Sequence, residues 1–559
     1  MSNDNDLRLL YGTMQADGSM EYRTNLTHKS RTEPVILRHD SRPVIPIIFI
    51  PGLMATRLKS KDLGKPIWDP PNTIWDGIKM LFNYAFKDAA TRAQELRPDN
   101  VKVAQDLPAN VELRKKYPES APRRQEKGWG EVYASSYHPF MTAIEQALNQ
   151  ALYTREELPD KNIKETLRVP QLPEKLKTDP KEYGAMSGAA PLTPAEFDKA
   201  IGKYRYDVWG CGYNWLQSNT QSAAYVWKRI GEILTDGYPE GALNEQKRVI
   251  LITHSMGGLV ARSLYKEHEA KCKKEEEKRI FGVIHIAQPA AGAPATYRIM
   301  RAGDTGWVQI MSGRNAAETT GVLARAQGGL ELLPFAKYNN GQPWLTCEEW
   351  PDHQAIPLDL PFKGTKSKGP DPYTDIYTNP EWYGLLPDQN LKLALEGAEA
   401  TEANLKKVRN KFSVAIEHVR DFHASITGAY HPVTYAIWGK GENQKAVAGI
   451  HWEQREKVYM PSDGPMFDSS EYRDNGVGCV SEGKYDNILR EIEVPGDSTV
   501  PYVSAQDQER PGTVYFTHGN GKGAHNGEHG WTHQDACSDN RVQWAAIYSI
   551  IKLVSEHCP

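Results

Sequence analysis

The run Arg248-Val-Ile-Leu-Ile-Thr-His-Ser255-Met-Gly-Gly-Leu-Val-Ala-Arg262 restricts the fold more than any other stretch of the chain. Four apolar residues read as a buried strand, and a helix-forming run begins only a few residues later. The short turn between them holds a serine followed by two glycines. This is the layout of a nucleophile elbow, which pushes a serine hydroxyl out over the end of a parallel sheet. It predicts a serine hydrolase. One position departs from the pattern: Thr253 stands where glycine is usual. Threonine is larger, but its β-branch suits a strand end, and Gly257 and Gly258 leave room for close packing.

Other segments fit the same architecture. Residues 44–50 form a short, continuous apolar run ending at Pro51-Gly52, as a buried parallel strand would. Further strands are expected at 204–213, 281–287 and 433–438, and helices over 130–152, about 219–235 and about 540–555. Within 401–425, Leu405, Val408, Phe412, Ala415, Val419 and Phe422 recur at spacings of three and four and define one helical face. Strands alternating with helices imply an α/β fold with a mostly parallel central sheet. Residues 1–42 read as a polar, unpatterned arm and 43–559 as one domain. Insertions at about 55–200 and 295–425 are too long for plain loops. They are expected to form a cap over the C-terminal edge of the sheet, where α/β proteins place their sites. The charge run KEHEAKCKKEEEKR after the elbow helix reads as a solvated helix end.

Composition removes some functional classes. Lys and Arg number 67 against 71 Asp and Glu, a net charge of −4, whereas a nucleic-acid binder is expected to carry a basic excess. Mean hydropathy is −0.61, which fits a core decorated by long surface insertions. No apolar run approaches the roughly 18 residues of a membrane span. The start, MSNDNDLRLLYGTMQADG, has no basic stretch followed by an apolar one, so synthesis in the cytoplasm without a signal peptide is expected. Six scattered cysteines (Cys211, Cys272, Cys347, Cys479, Cys537 and Cys558) show no CxxC or zinc spacing and read as free thiols. One or two disulfides stay open for a protein working outside the cell.

A serine is a weak nucleophile without a base. The base needs an orienting acid, and the reaction needs donors for an oxyanion. After such an elbow the chain order is serine, acid, histidine, with acid and histidine each expected just after a late core strand. Gly496-Asp497-Ser498-Thr499-Val500-Pro501 follows the strand-like ILREIEVP and sets a carboxylate on a tight turn, although an ordinary Asx turn reads the same way. His533 lies just before the terminal helix and is the leading base. His518, His525, His529 and His533 share one glycine-rich loop. His529 is therefore the runner-up, and four histidines so spaced also admit a metal site. The expected oxyanion donors are the N–H groups of Met256, after the serine, and Leu53, after the early strand. Gly52 lets that backbone approach a substrate, while a plain strand-ending turn is the simpler reading of the same residues.

Taken in order, IPGLMATRL (49–57), WDPP (68–71), GYNW (212–215), HSMGGLVAR (254–262), GDSTVP (496–501) and HQDA (533–536) carry a family likeness. They resemble the lipase branch that includes lecithin–cholesterol acyltransferase-like enzymes and GPI inositol-deacylase-like hydrolases. The stretch GRNAAETTGVLARAQGGLELLP (313–334) is similar to a cap segment of antibacterial type VI secretion lipase effectors. Thr253, Ser498 and Leu216 depart from residues common in such relatives. The resemblance implies an α/β-hydrolase fold without cofactor or metal, and an esterase acting on phospholipids, with Ser255, His533 and Asp497 as its triad. It also implies a cap that shields an acyl pocket and opens at a lipid surface. The partners it implies are a membrane phospholipid, a cognate immunity protein and a component of the secretion machine, with delivery to the periplasm of a neighbouring bacterium. A cytosolic acyltransferase or thioesterase of the same fold, and a non-catalytic binding protein, remain the alternatives.

Overall fold

A computed structural model describes residues 42–70, 95–108, 111, 121–149, 174–186, 188–303, 315–324, 326–349, 356–362, 369–386, 401–456, 477–482, 485–519 and 530–559, with short strand segments at 8–14, 20–21, 35–39, 152–153, 170–171 and 473–474. In chain order the principal strands are β1 (Val44–Ile50), β2 (Arg205–Gly210), β3 (Val249–His254), β4 (Ile280–Ile286), β5 (Leu345–Glu349), β6 (Ile356–Leu360), β7 (Thr434–Gly439), β8 (Gly441–Glu456), β9 (Cys479–Glu482), β10 (Tyr485–Gly496) and β11 (Thr513–His518). The principal helices are α1 (Ala134–Asn149), α2 (Asn219–Asp236), α3 (Gly257–Glu267), α4 (Pro294–Ala302), α5 (Glu402–Ile426) and α6 (Asn540–His557).

The central sheet runs β2-β1-β3-β4-β7-β11, and every neighbouring pair is parallel. Successive side chains of a strand face opposite sides. Ile48 and Ile50 of β1 therefore share a core with residues of α2, α3 and α5, while Ile45, Ile47 and Phe49 share the other with residues of α1 and α6. Each fully buried Ile, Leu or Phe contributes about 1.5–3 kcal/mol. Strands buried on both faces are what continuous apolar runs specify. Along α5, Leu405, Phe412, Ile416, Val419, Phe422 and Ile426 are buried, and Val408 and Ala415 pack at the margin. The outer strand β11 is one that the apolar pattern does not announce, because Thr513, Thr517 and His518 dilute TVYFTH.

A second, mixed sheet orders β6-β5-β8-β10-β9, with Arg473–Asp474 at its edge. Its longest pairing is antiparallel, from Gly441 opposite Gly496 to Glu456 opposite Tyr485. This hairpin lies in 441–496, outside the expected insertions. It is anchored on α4, where Trp452 Nε1 donates to Tyr297 Oη at 3.0 Å and Arg298 pairs with Glu491 at 3.1 Å. ILREIEVP belongs to β10, so the expectation that Asp497 follows a core strand is corrected. It follows an arm of the accessory sheet. Arg490, Glu491, Ile492 and Glu493 are exposed in succession, so this part of β10 is solvated on both faces, unlike a core strand buried on both.

The segment read as an unpatterned arm contains paired strands. Arg8–Met14 runs parallel to Val35–His39 and antiparallel to Met20–Glu21. Among the described residues no disulfide joins any of the six cysteines, and no helix is long and apolar enough to cross a membrane.

Candidate active site

Ser255 lies at the C-terminal end of β3, near the middle of the central sheet, with a left-handed φ of 55°. A non-glycine residue pays about 1–2 kcal/mol for that conformation, so neighbouring bonds must hold it. The Ser255 N–H donates to Ile286 O at 2.9 Å, and Gly258 N–H donates to Ser255 O at 2.9 Å. Gly257 is needed for space: a Cβ there would stand 2.5 Å from Ile50 O and 2.6 Å from Pro51 O. Thr253 is fully buried, directly opposite His285 of β4, and its hydroxyl meets His285 Nδ1 at 2.9 Å. The threonine that replaces the usual glycine thus has a dedicated polar partner, a neutral imidazole whose pKa burial pushes down to about 3.

The structure brings Ser255, His533 and Asp497 together from three separate elements. His533 Nε2 lies 2.8 Å from Ser255 Oγ, and His533 Nδ1 lies 2.9 Å from Asp497 Oδ2. The Asp497 side chain is only 1% exposed. Its Oδ1 accepts from the Thr499 and Val500 N–H groups at 3.0 and 2.6 Å, so the Asx turn is present and its carboxylate also serves the histidine. His533 N–H donates to Asp497 O at 2.6 Å, fixing backbone to backbone. Ser498 adopts φ 73° and is held by Gln444 of β8: its N–H donates to Gln444 O at 3.1 Å and its hydroxyl to Gln444 Oε1 at 2.5 Å.

Of the other loop histidines, His518 is buried at the end of β11. It pairs with Tyr183 O through Nε2 at 2.9 Å and accepts from Trp531 Nε1 through Nδ1 at 3.1 Å, which leaves no nitrogen for a metal. His525 and His529, including the alternative base, lie outside the described residues.

The Pro51–Met54 loop closes over the elbow. A Cβ on Gly52 would come within 2.9 Å of Ser255 Cβ. Among the described residues, neither the Leu53 nor the Met256 N–H donates to a protein acceptor. The loop is braced from behind: Tyr213 Oη donates to Pro51 O at 2.9 Å, Trp68 Nε1 donates to Met54 O at 2.6 Å, and Arg57 pairs with Asp69 at 2.8 Å. The described parts of the sequence motifs at 49–57, 68–70 and 212–215 are therefore one framework. Leu216 is buried in the core. The Ser255 hydroxyl opens on a cleft of about 480 Å³ whose walls include Leu53, Met54, Ala293, Ile299, Leu332 and Val447, together with Arg298, Lys445, Glu491 and Glu493.

Two residues at the site escape the sequence reading. His254 Nδ1 lies 3.0 Å from Tyr137 Oη, and its Nε2 lies 3.0 Å from His533 O. The position of His254 beside the serine is a signal that could have found it. Tyr137 in α1 carries none.

A serine hydroxyl, imidazole and carboxylate in this order can transfer a proton from Oγ to Nε2 while the imidazolium is stabilised from behind. A family model described as lecithin:cholesterol acyltransferase matches residues 199–507. Among solved structures, the crystal structure of a Tle4–Tli4 complex contains a chain that is 31% identical and covers 92% of this chain and 99% of that one, with a TM-score of 0.75. Phospholipase PlaB from Legionella pneumophila aligns at 10% identity over 56% of this chain and 77% of that one, and its TM-score of 0.14 carries no weight. A search of curated proteins finds no match. With the family model covering more than half its length, and the fold carried nearly end to end by a relative of known structure, this chain belongs to the lecithin:cholesterol acyltransferase family of lipid-acyl hydrolases and acyltransferases.

Proposed function

We propose that this chain is a serine esterase that hydrolyses acyl esters of phospholipids. The supporting observation is the continuous line from Ser255 Oγ through His533 to the buried Asp497, with links of 2.8 and 2.9 Å. Ser255 attacks the acyl carbonyl and its proton passes to His533 Nε2. The Leu53 and Met256 amides stabilise the oxyanion. His533 returns the proton to the departing alcohol, and water activated by the same imidazole releases the fatty acid. The apolar walls of the cleft suit an acyl chain, and Arg298, Lys445, Glu491 and Glu493 suit a charged head group. Ser255→Ala should abolish turnover of short acyl esters and of a phospholipid panel while the protein stays folded. Retained turnover would sink the reading.

The family description favours a second outcome for the same acyl-enzyme, transfer to an alcohol. Product analysis with an alcohol present separates the two. Failure to label with a fluorophosphonate would instead favour a non-catalytic binding protein.

The biological setting we propose is that of an antibacterial type VI effector, delivered to a neighbour's periplasm and blocked in its producer by a cognate immunity protein. The resemblance at 313–334 and the relative crystallised as a two-protein complex support it. Expression in a bacterial periplasm should arrest growth only when Ser255 is intact.

A further inference from the structure

Behind the Ser255 hydroxyl runs a second, buried hydrogen-bonded line that the proposed chemistry does not use. His254 Nε2 faces the His533 carbonyl oxygen at 3.0 Å. A carbonyl only accepts, so Nε2 carries the proton. Burial beside His533 pushes the His254 pKa down to about 3 and keeps the ring neutral, which leaves Nδ1 as an acceptor. Burial likewise holds the Tyr137 phenol protonated. The phenol therefore donates to His254 Nδ1 at 3.0 Å, and its oxygen accepts from the Gly52 N–H at a longer 3.4 Å. All three bonds have one direction: Gly52 N–H to Tyr137 Oη, Tyr137 O–H to His254 Nδ1, and His254 Nε2–H to His533 O.

Both ends of this line touch moving parts of the reaction. Gly52 is the neighbour of Leu53, whose N–H faces the oxyanion. The His533 carbonyl belongs to the residue whose ring must meet Ser255. The His533 backbone is gripped on both sides, its N–H by Asp497 O at 2.6 Å and its carbonyl by His254. The rings also meet along the same path in tilted or edge-on contacts, with centroids 4.8 Å apart for Phe49 and Tyr137, 5.5 Å for Tyr137 and His254, and 4.9 Å for His254 and His533. Space-filling alone would not select a phenol and an imidazole here, since buried polar groups are costly unless bonded.

We infer that Tyr137 and His254 are positioning residues that lock the oxyanion loop to the backbone of the base, so that the two halves of the site are set by one buried line. This rests on the esterase reading above.

The test uses the full-length protein and a soluble short-chain ester, with Ser255→Ala beside Tyr137→Phe, His254→Gln and the double variant. Glutamine places a donor near the Nε2 position but does not restore the acceptor facing Tyr137. Tyr137→Phe and His254→Gln should each lower kcat about ten-fold with KM unchanged, because both break the 3.0 Å Tyr137–His254 bond; Tyr137→Phe also loses the longer 3.4 Å contact from Gly52. The double should fall no more than about three-fold below the worse single, because both cut the same line. His254→Ala, which loses both links, should fall about a hundred-fold, with partial recovery in His254→Gln. Wild-type kcat in Tyr137→Phe, a rise in KM alone, or multiplicative losses in the double overturn the inference. Should the His254 variants fail to fold, the kcat and KM of Tyr137→Phe decide by themselves. Wild-type turnover in Ser255→Ala overturns the esterase reading instead, so the two failures are distinguishable.

Discussion

Asp497→Asn isolates what the buried carboxylate does. Asparagine has the same shape, and Oδ1 already accepts from Thr499 and Val500 at 3.0 and 2.6 Å. Turning the amide round would face its NH2 to those two N–H groups and lose both bonds, so the carbonyl oxygen stays where Oδ1 is. The NH2 group must then face His533 Nδ1, now 2.9 Å from Oδ2. A donor there is satisfied only if Nδ1 is unprotonated, which moves the ring proton to Nε2. Nε2 lies 2.8 Å from Ser255 Oγ and can then no longer accept its proton. The wrong tautomer should lower kcat by roughly 10⁴, about 5.5 kcal/mol of transition-state stabilisation. The two retained amide bonds limit the folding cost to about 1–2 kcal/mol, because only the charge-assisted part is lost. Steady-state kinetics on a chromogenic ester, fluorophosphonate labelling rates and urea denaturation measure all three. A kcat loss below about 30-fold in a folded Asp497→Asn protein would show that the carboxylate does not set the tautomer of His533.

Gly52→Ala drives a methyl to within 2.9 Å of Ser255 Cβ and displaces the loop that holds Leu53. We expect kcat to drop at least about 30-fold, the scale of a misplaced oxyanion donor, with little change in melting temperature; normal kinetics would refute the loop's assignment. Thr253→Val keeps the shape but leaves the buried His285 Nδ1 unpaired. It should cost about 1–3 kcal/mol in urea denaturation and leave kcat nearly intact, and an unchanged midpoint would refute the pairing. Glu331 is fully buried, accepts from Asn219 N–H at 2.7 Å and has its pKa pushed up to about 8 by burial. Its stabilising share is complete below the ordinary carboxylate range near 4.5 and is lost as pH rises through about 8. Glu331→Gln should therefore raise the denaturation midpoint at pH 9 relative to wild type more than at pH 5, and a larger gain at pH 5 would contradict the burial effect.

The central sheet was legible because its strands are continuous apolar runs: residues 44–50 and the strand before Ser255 appear in the structure as β1 and β3, buried throughout. The edge strand β11 was not, since a strand covered less fully mixes threonine and histidine into the run. Ser255 and Asp497 were recognisable because each sits on a turn with its own local chemistry, whereas His533 was singled out only by its place before the terminal helix, with His529 left open. The strand leading to Asp497 was misplaced, because a local pattern does not say which sheet a strand joins. Tyr137 was invisible for a related reason. Its hydroxyl matters only through His254, 117 positions away, and no local spacing encodes such a pairing.

Because Asp497 hangs from the β8–β10 arm and its neighbour Ser498 is pinned there by Gln444, the carboxylate and the serine belong to two independently woven sheets. Catalytic competence is then a property of their assembly. During refolding, ester turnover should appear later than the burial of Trp438 in the central sheet, because the charge that orients His533 arrives only with the accessory arm. A chain with a finished central sheet and an undocked arm would be folded by spectroscopy and inert towards lipid.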